Sequence, residues 1–326
     1  MNALKWVGIS LASVVVLYLL VCGVMTAVGY IHMGLQSKAA NGKEYGEARY
    51  EEIKSSGIPS EFNIYTEDEI SANSDLEGVK LYYFPAPSNE KTKYVLVCPG
   101  GAYVWCALEN EGYSTAAKVN EEGYTAFALV YRVGEAANER KPLDDLARAV
   151  KYITENADTF NVESEDYAIC GYSAGGNLVG LFGSDEYGYK NYEGITKPGA
   201  IFMGYPWVNP SISSWNVFDA ILFKVLAARG HNAFLYKNPS KSDIETMKVY
   251  THITSDYPST FIMHGKRDQL VPHYKNSDQL VEELEKNNIP YEYYLVKDVN
   301  HGTGINEGTA AEDWIPRAIS FWENNV

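Results

Sequence analysis

Basic residues are scarce in this sequence, cysteines are few, and no segment repeats another. Against 42 Asp and Glu the chain carries only 27 Lys and Arg, a net charge of -15. With no basic cluster to neutralise phosphates, a nucleic-acid partner is not expected. The four cysteines, Cys22, Cys98, Cys106 and Cys170, are too dispersed for a disulfide framework. None has metal-ligand spacing with a histidine nearby, so neither structural zinc nor any other metal is expected. No G-x-G-x-x-G follows a strand, and no lysine follows the glycine pair at 100–101 at the spacing of a phosphate-binding loop. Low-complexity tracts are missing as well.

Formal charge is missing from Trp6 to Ile31. That run is long enough to cross a hydrocarbon core of about 30 Å as a helix. It exceeds the apolar region of about 7–15 residues found in a cleaved secretory signal. Leu19-Leu20-Val21-Cys22 resembles a lipoprotein cleavage site only faintly, since Val21 is large and another apolar stretch follows. The expected organisation is a tail at 1–5, a transmembrane anchor at 6–31, and a tether with a first helix at 32–57. One main domain then fills 58–326. Lys5 on one side of the anchor and Lys38 and Lys43 on the other leave the charge rule near a tie. A short amino-terminal tail retained in the cytoplasm places the domain on the extracytoplasmic face.

A chain of 326 residues suits one large domain with an appendage. Val79 to Phe84 alternates imperfectly and ends at Pro85-Ala86-Pro87, as an antiparallel strand near a sheet edge does. Beyond Lys93, apolar runs alternate with helical patterns. Strands are expected at 94–98, 125–131, 167–170, 200–205, 260–264 and 291–296, with helices at 113–120, 142–156, 277–287 and 310–324. Such alternation predicts an α/β domain with a mostly parallel central sheet and helices on both faces. The rhythm breaks between 209 and 256, where a small cap insertion is expected over the site.

Chemistry concentrates at Gly171-Tyr172-Ser173-Ala174-Gly175, between a buried strand and a helix start. A serine hydroxyl becomes a useful nucleophile only when held clear of the backbone beside a base and anion-stabilising N–H groups. In a G-x-S-x-G elbow the flanking glycines permit that sharp turn. The chain order nucleophile, acid, histidine directs the search to Asp268, after the strand at 260–264, and to His301, after the strand at 291–296. Asp298 is too close to His301 along the chain to reach its far nitrogen, and His264, at a strand end, suits a structural hydrogen bond. His252 and His273 lie in loops without a matching partner. One oxyanion donor is expected at Ala174, and another in Pro99-Gly100-Gly101-Ala102-Tyr103.

Those motifs, with Gly265-Lys266-Arg267-Asp268 and His301-Gly302, resemble the α/β-hydrolase superfamily. Within it they are similar to the esterase and lipase group that includes acetyl, feruloyl and xylan-type carbohydrate esterases and kynurenine formamidase-like enzymes. The resemblance runs from about residue 78 onward. It implies an α/β-hydrolase fold, a triad of Ser173, Asp268 and His301, and Gly101, Ala102 and Ala174 around the oxyanion. Proline and alanine replace the outer residues of the family's His-Gly-Gly-Gly loop, which leaves open which N–H points inward. No cofactor is required, since nucleophile, base and anion donors all come from the chain. Tyr103, Trp105, Tyr172 and Trp207 are the expected aromatic walls of a small, uncharged acyl pocket. The expected activity is hydrolysis of short-chain carboxylic esters, acetylated carbohydrate among them. A formamidase or amidase, a serine peptidase of the prolyl-oligopeptidase type, and a tethered binding module without turnover remain open.

Overall fold

The structure, a computed structural model, describes residues 2–211 and 216–325. Met1 of the expected amino-terminal tail, residues 212–215 of the expected cap insertion and Val326 lie outside the described residues. Eight strands form one sheet in the order β1-β2-β4-β3-β5-β6-β7-β8. They are β1 (Glu61–Asn63), β2 (Lys80–Phe84), β3 (Thr92–Cys98), β4 (Thr125–Val130), β5 (Val162–Tyr172), β6 (Ala200–Gly204), β7 (Ser259–Gly265) and β8 (Tyr291–Val296). The first two strands join antiparallel, and every pairing from β4 to β8 is parallel. Val95, Leu96, Ala168, Ile169, Ile201, Phe202, Phe261 and Ile262 are fully buried. Their near-continuous apolar runs suit strands covered on both faces.

Eleven α-helices accompany the sheet among the described residues: α1 (Asn2–Ala40), α2 (Lys43–Ser55), α3 (Glu67–Ala72), α4 (Ser114–Glu121), α5 (Lys141–Glu155), α6 (Ala157–Phe160), α7 (Ala174–Phe182), α8 (Val217–Phe234), α9 (Lys241–Glu245), α10 (Ser277–Lys286) and α11 (Trp314–Asn325). One core layer packs Leu146 of α5, Leu178 of α7 and Leu280 of α10 against the sheet. The opposite layer holds Tyr50 of α2, Ala116 of α4 and Trp314 of α11. Pro142 opens α5, where its missing N–H costs nothing. The inserted segment between β6 and β7 carries α8 and α9.

Strand order reverses around β3, which lies between β4 and β5. At such a switch point successive connections leave toward opposite faces, and a crevice opens beyond the carboxyl ends of the strands. The loop 99–103 and Ser173 both follow strands at this crevice.

Some elements differ from the sequence expectations. Helix α11 starts at Trp314, because 302–313 form turns pinned by Thr303 and Asn306. Residues 32–40, expected as tether, are the last turns of α1, which ends where Gly42 takes a left-handed φ of 71°. By length and composition α1 is apolar enough to cross a membrane.

Candidate active site

Ser173 stands between β5 and α7 with φ 51° and ψ −115°. Such a conformation costs about 1–3 kcal/mol and needs close packing to hold it. A Cβ on Gly171 would lie 2.2 Å from the Gly175 carbonyl oxygen, and one on Gly175 would lie 2.0 Å from that of Cys98. Only glycine lets strand, elbow and helix approach this closely. The corner is held from the β6 side, where the Ser173 N–H donates to the Gly204 carbonyl (3.1 Å) and Trp207 N–H donates to the Ser173 carbonyl (2.9 Å).

His301, on the loop after β8, has Nε2 3.0 Å from the Ser173 Oγ and Nδ1 2.7 Å from Asp268 Oδ2. The loop after β7 carries Asp268, whose Oδ1 accepts the Val271 N–H at 2.7 Å. Three residues from three strand ends thus form one hydrogen-bonded line. Burial opposes ionisation of Asp268, but His301 and His264 overcome it and hold the carboxyl at about 2. Burial also opposes charge on His301, yet the Asp268 carboxylate, with Glu111 beyond it, raises the imidazole above its ordinary value. His264 braces the aspartate: Nε2 lies 2.7 Å from the Val271 carbonyl and 3.2 Å from Asp268, while Nδ1 meets Ser277 Oγ at 2.6 Å. Asp298 points elsewhere, into a surface ion pair with Arg267 at 2.8 Å. His252 and His273 pair with Glu186 and Asp278.

Opposite Ser173, the loop after β3 takes positive φ at three successive residues, Gly101 (128°), Ala102 (54°) and Tyr103 (59°). Gly100 N–H donates to Glu111 Oε2 at 2.6 Å, and the N–H groups of Val104 and Trp105 turn back to the Gly101 carbonyl. Among the described residues the N–H groups of Gly101, Ala102 and Ala174 have no acceptor. Ala102 and Ser173 line one cavity of about 60 Å³, with Trp207, Phe223, Leu226 and Val271 around them. That space holds a few water-sized groups, not a long chain.

Of the four aromatics expected to wall the pocket, Trp207 alone lines it. Tyr103 is fully buried, stacked on Phe234 and donating to Asn177 Oδ1. Tyr172 points to the opposite layer against Tyr205 and Trp314, because alternation along β5 turns its side chain away from that of Ser173. Trp105 is 54 % exposed and outside the cavity. Phe223, Leu226 and Ala227 of α8 take the places intended for them. Their approximate helical spacing was visible in the sequence, but nothing there aimed that face at Ser173.

Three supports also escaped the sequence reading. Glu111 is buried and its carboxyl is pushed up by burial, partly offset by the Gly100 N–H and the Tyr205 hydroxyl, 2.8 Å from Oε1. Tyr205 lies against the His301 ring with centroids 4.7 Å apart and accepts the Gly304 N–H at 2.9 Å. The third is α1. Gln36 Oε1 accepts the Asn300 N–H (2.9 Å) and side-chain amide (2.6 Å), its own amide donates to the Asp298 carbonyl (2.8 Å), and Ser37 Oγ donates to the Gly302 carbonyl (2.5 Å). The loop that carries His301 is therefore clasped by the end of the apolar helix.

Comparison with known proteins agrees with this architecture. Residues 81–201 match the BD-FAE family and 211–326 the prolyl oligopeptidase family. The chain is 24 % identical over 279 residues to endo-1,4-beta-xylanase B of Butyrivibrio fibrisolvens, covering 81 % of this chain and 42 % of that one. It is 23 % identical to the acetylxylan esterase of Xylanibacter ruminicola, covering 74 % and 47 %. The chain thus spans about half the length of these curated relatives. An acetyl ester-xyloside bifunctional hydrolase from Caldicellulosiruptor lactoaceticus shares the fold at a TM-score of 0.67 and 23 % identity, covering 81 % of this chain and 96 % of that one. A truncated carbohydrate esterase from gut microbiota does so at 0.63 and 16 %, covering 81 % and 95 %. Sheet order, the sharp turn at Ser173, the chain order of the residues that meet there and the neighbouring solved structures converge on one architecture: the chain has the α/β-hydrolase fold.

Proposed function

We propose that this protein is a membrane-anchored serine esterase acting on short-chain carboxylic esters, acetyl groups on carbohydrate being the favoured substrate. The reading is carried by the continuous line from Ser173 Oγ through His301 to Asp268, at 3.0 and 2.7 Å. In it, Ser173 Oγ attacks the ester carbonyl carbon while His301 Nε2 takes the hydroxyl proton. Asp268 holds the imidazole with Nδ1 protonated and stabilises the imidazolium. The tetrahedral oxyanion rests on backbone N–H groups of Ala102 and Ala174, with Gly101 beside them. Collapse expels the alcohol, which receives the proton from His301 and leaves an acyl group on Ser173. Water, deprotonated by His301, then attacks that acyl carbon, and the proton returns to Ser173 as the acid departs.

A cavity near 60 Å³ with apolar walls favours acyl groups of two to four carbons. The acetyl-ester names among the relatives favour carbohydrate acetate. Helix α1 serves as the anchor, with the catalytic domain on the extracytoplasmic side. The test is a series of p-nitrophenyl esters of increasing chain length beside acetylated xylan and N-formylkynurenine. Activity is expected to peak at two to four carbons and to vanish in Ser173→Ala. A maximum at long chains, preference for the formamide, or unchanged turnover in Ser173→Ala would overturn the reading. Lack of labelling of Ser173 by a fluorophosphonate would mark a binding module instead.

A further inference from the structure

Among the described residues outside α1, exposed large apolar side chains are scattered singly, except on α8, where Phe218, Ile221, Leu222 and Val225 are 40, 57, 42 and 57 % exposed. Their spacing of three and four places all four on one helical face. The same face ends in Arg229 and Asn232, and exposed Lys224 flanks it. This stripe faces away from the pocket: Phe223 and Ala227, which line the cavity beside Ser173, are on the buried side of the same helix.

The start of α8 is fastened to α1. Thr26 Oγ1 donates to Asp219 Oδ1 at 2.7 Å, and the Asn216 side-chain amide donates to Thr26 Oγ1 (3.0 Å) and to the Cys22 carbonyl (3.3 Å). The Phe218 ring lies against Gly23. From Trp6 to Ile31 the apolar run extends about 39 Å at 1.5 Å per residue, against a hydrocarbon core of about 30 Å. With the core beginning at Trp6, about 30 Å of helix ends near Met25, which puts Cys22 to Thr26, and the start of α8 beside them, at the boundary where the helix leaves the bilayer. Ser37, which holds the Gly302 carbonyl, is only about 9 Å along the helix beyond Ile31.

We infer that α8 is an interfacial helix: its Phe218, Ile221, Leu222 and Val225 face enters the bilayer surface beside α1, so the cavity at Ser173 opens at the level of the lipid headgroups. The proposal rests on reading α1 as a spanning anchor. An exposed apolar face continuous with such an anchor remains in water only at a cost that grows with its area, whereas an amphipathic helix lying in the interface buries it about 5–10 Å into the headgroup and acyl boundary. Arg229 and Lys224 then meet the headgroups, and Asn232 faces water as the helix rises. A bilayer is favoured over a protein partner because the stripe loses its apolar character with distance from the anchor.

The full chain, on a Cys106→Ser background in lipid nanodiscs, is to be spin-labelled at Ile221→Cys, Val225→Cys, Leu17→Cys in α1 and Asp158→Cys on the remote surface. Accessibility to oxygen, which partitions into lipid, is compared with accessibility to a water-soluble nickel chelate. Oxygen is expected to dominate at 221 and 225, with a depth of about 5–10 Å, more deeply still at 17, and the nickel chelate at 158. Nickel dominance at 221 and 225 with 17 embedded overturns the interfacial helix and leaves the anchor standing. Shielding of 221 and 225 from both reagents marks a protein contact and also overturns it. Nickel dominance at 17 overturns the anchor, and this inference falls with it.

Discussion

Replacing Asp268 with asparagine changes one atom of a fully buried side chain and gives the sharpest test of the site. Oδ1 of the aspartate accepts the Val271 N–H and Oδ2 accepts from His301 Nδ1. An asparagine has one carbonyl oxygen, and the fixed Val271 N–H claims it. Its amide nitrogen then faces His301 as a donor, so Nδ1 must accept and the proton moves to Nε2, which can no longer take one from Ser173. An inverted tautomer of this kind lowers kcat by about 10⁴ in a comparable triad, about 5.4 kcal/mol in barrier. The stability cost is smaller. A carboxyl held at about 2 against an ordinary 3.8 corresponds to about 2 kcal/mol for a fully buried group, which typical domains survive. Because the folded pKa is depressed, that contribution is fully present above about pH 4 and is lost as pH falls toward 2. The assay pairs kcat on p-nitrophenyl acetate with thermal melts of both proteins. A folded Asp268→Asn variant within tenfold of the parent would refute the tautomer argument.

Four further outcomes are expected. His301 must be neutral to accept a proton and its pKa is raised by Asp268 and Glu111, so kcat/KM should rise through an apparent pKa above 6.5; an acid limb below 6 would contradict the assigned environment. Phe223→Ala should move the chain-length optimum toward longer acyl groups, with the octanoate-to-acetate ratio rising roughly tenfold; an unchanged ratio means that Phe223 does not bound the acyl pocket. Gly175→Ala places a Cβ against the Cys98 carbonyl and should cost about 1–3 kcal/mol or more in melts together with most activity, whereas full activity would mean that the elbow yields. Gln36→Ala removes the clasp on Asn300 and Asp298; kcat should fall several-fold with KM nearly constant and stability within about 1 kcal/mol, and a change confined to KM would count against a role in positioning His301.

Much of the candidate site was legible because the residue types it brings together are tied to local backbone events. The elbow needs glycines at fixed offsets from Ser173, the acid and the histidine must follow particular strand ends, and a parallel sheet writes itself as apolar runs separated by helices. These are short-range constraints, and one strand with its turn expresses them. The substrate wall was not legible in the same way. Tyr172 and Tyr103 are as aromatic as Trp207, but which of them faces the cavity depends on pleat parity and on what packs behind each. Nothing local marks Glu111, and its burial under Gly100 and Tyr205 arises only when β3, β5 and β6 lie side by side.

Sequence alone thus determined the strand and helix alternation, the apolar helix at the amino end, and three residues with the right order to act together, since each is encoded by neighbours within a few positions. Tertiary structure alone decided that Ser173, Asp268 and His301 converge within 3.0 Å, that α8 walls the pocket, and that Gln36 and Ser37, more than 260 positions away, hold the histidine loop. The reason is physical: side-chain type and local turn chemistry are properties of a short segment, whereas burial, facing direction and contact across the crevice exist only once distant segments share one core.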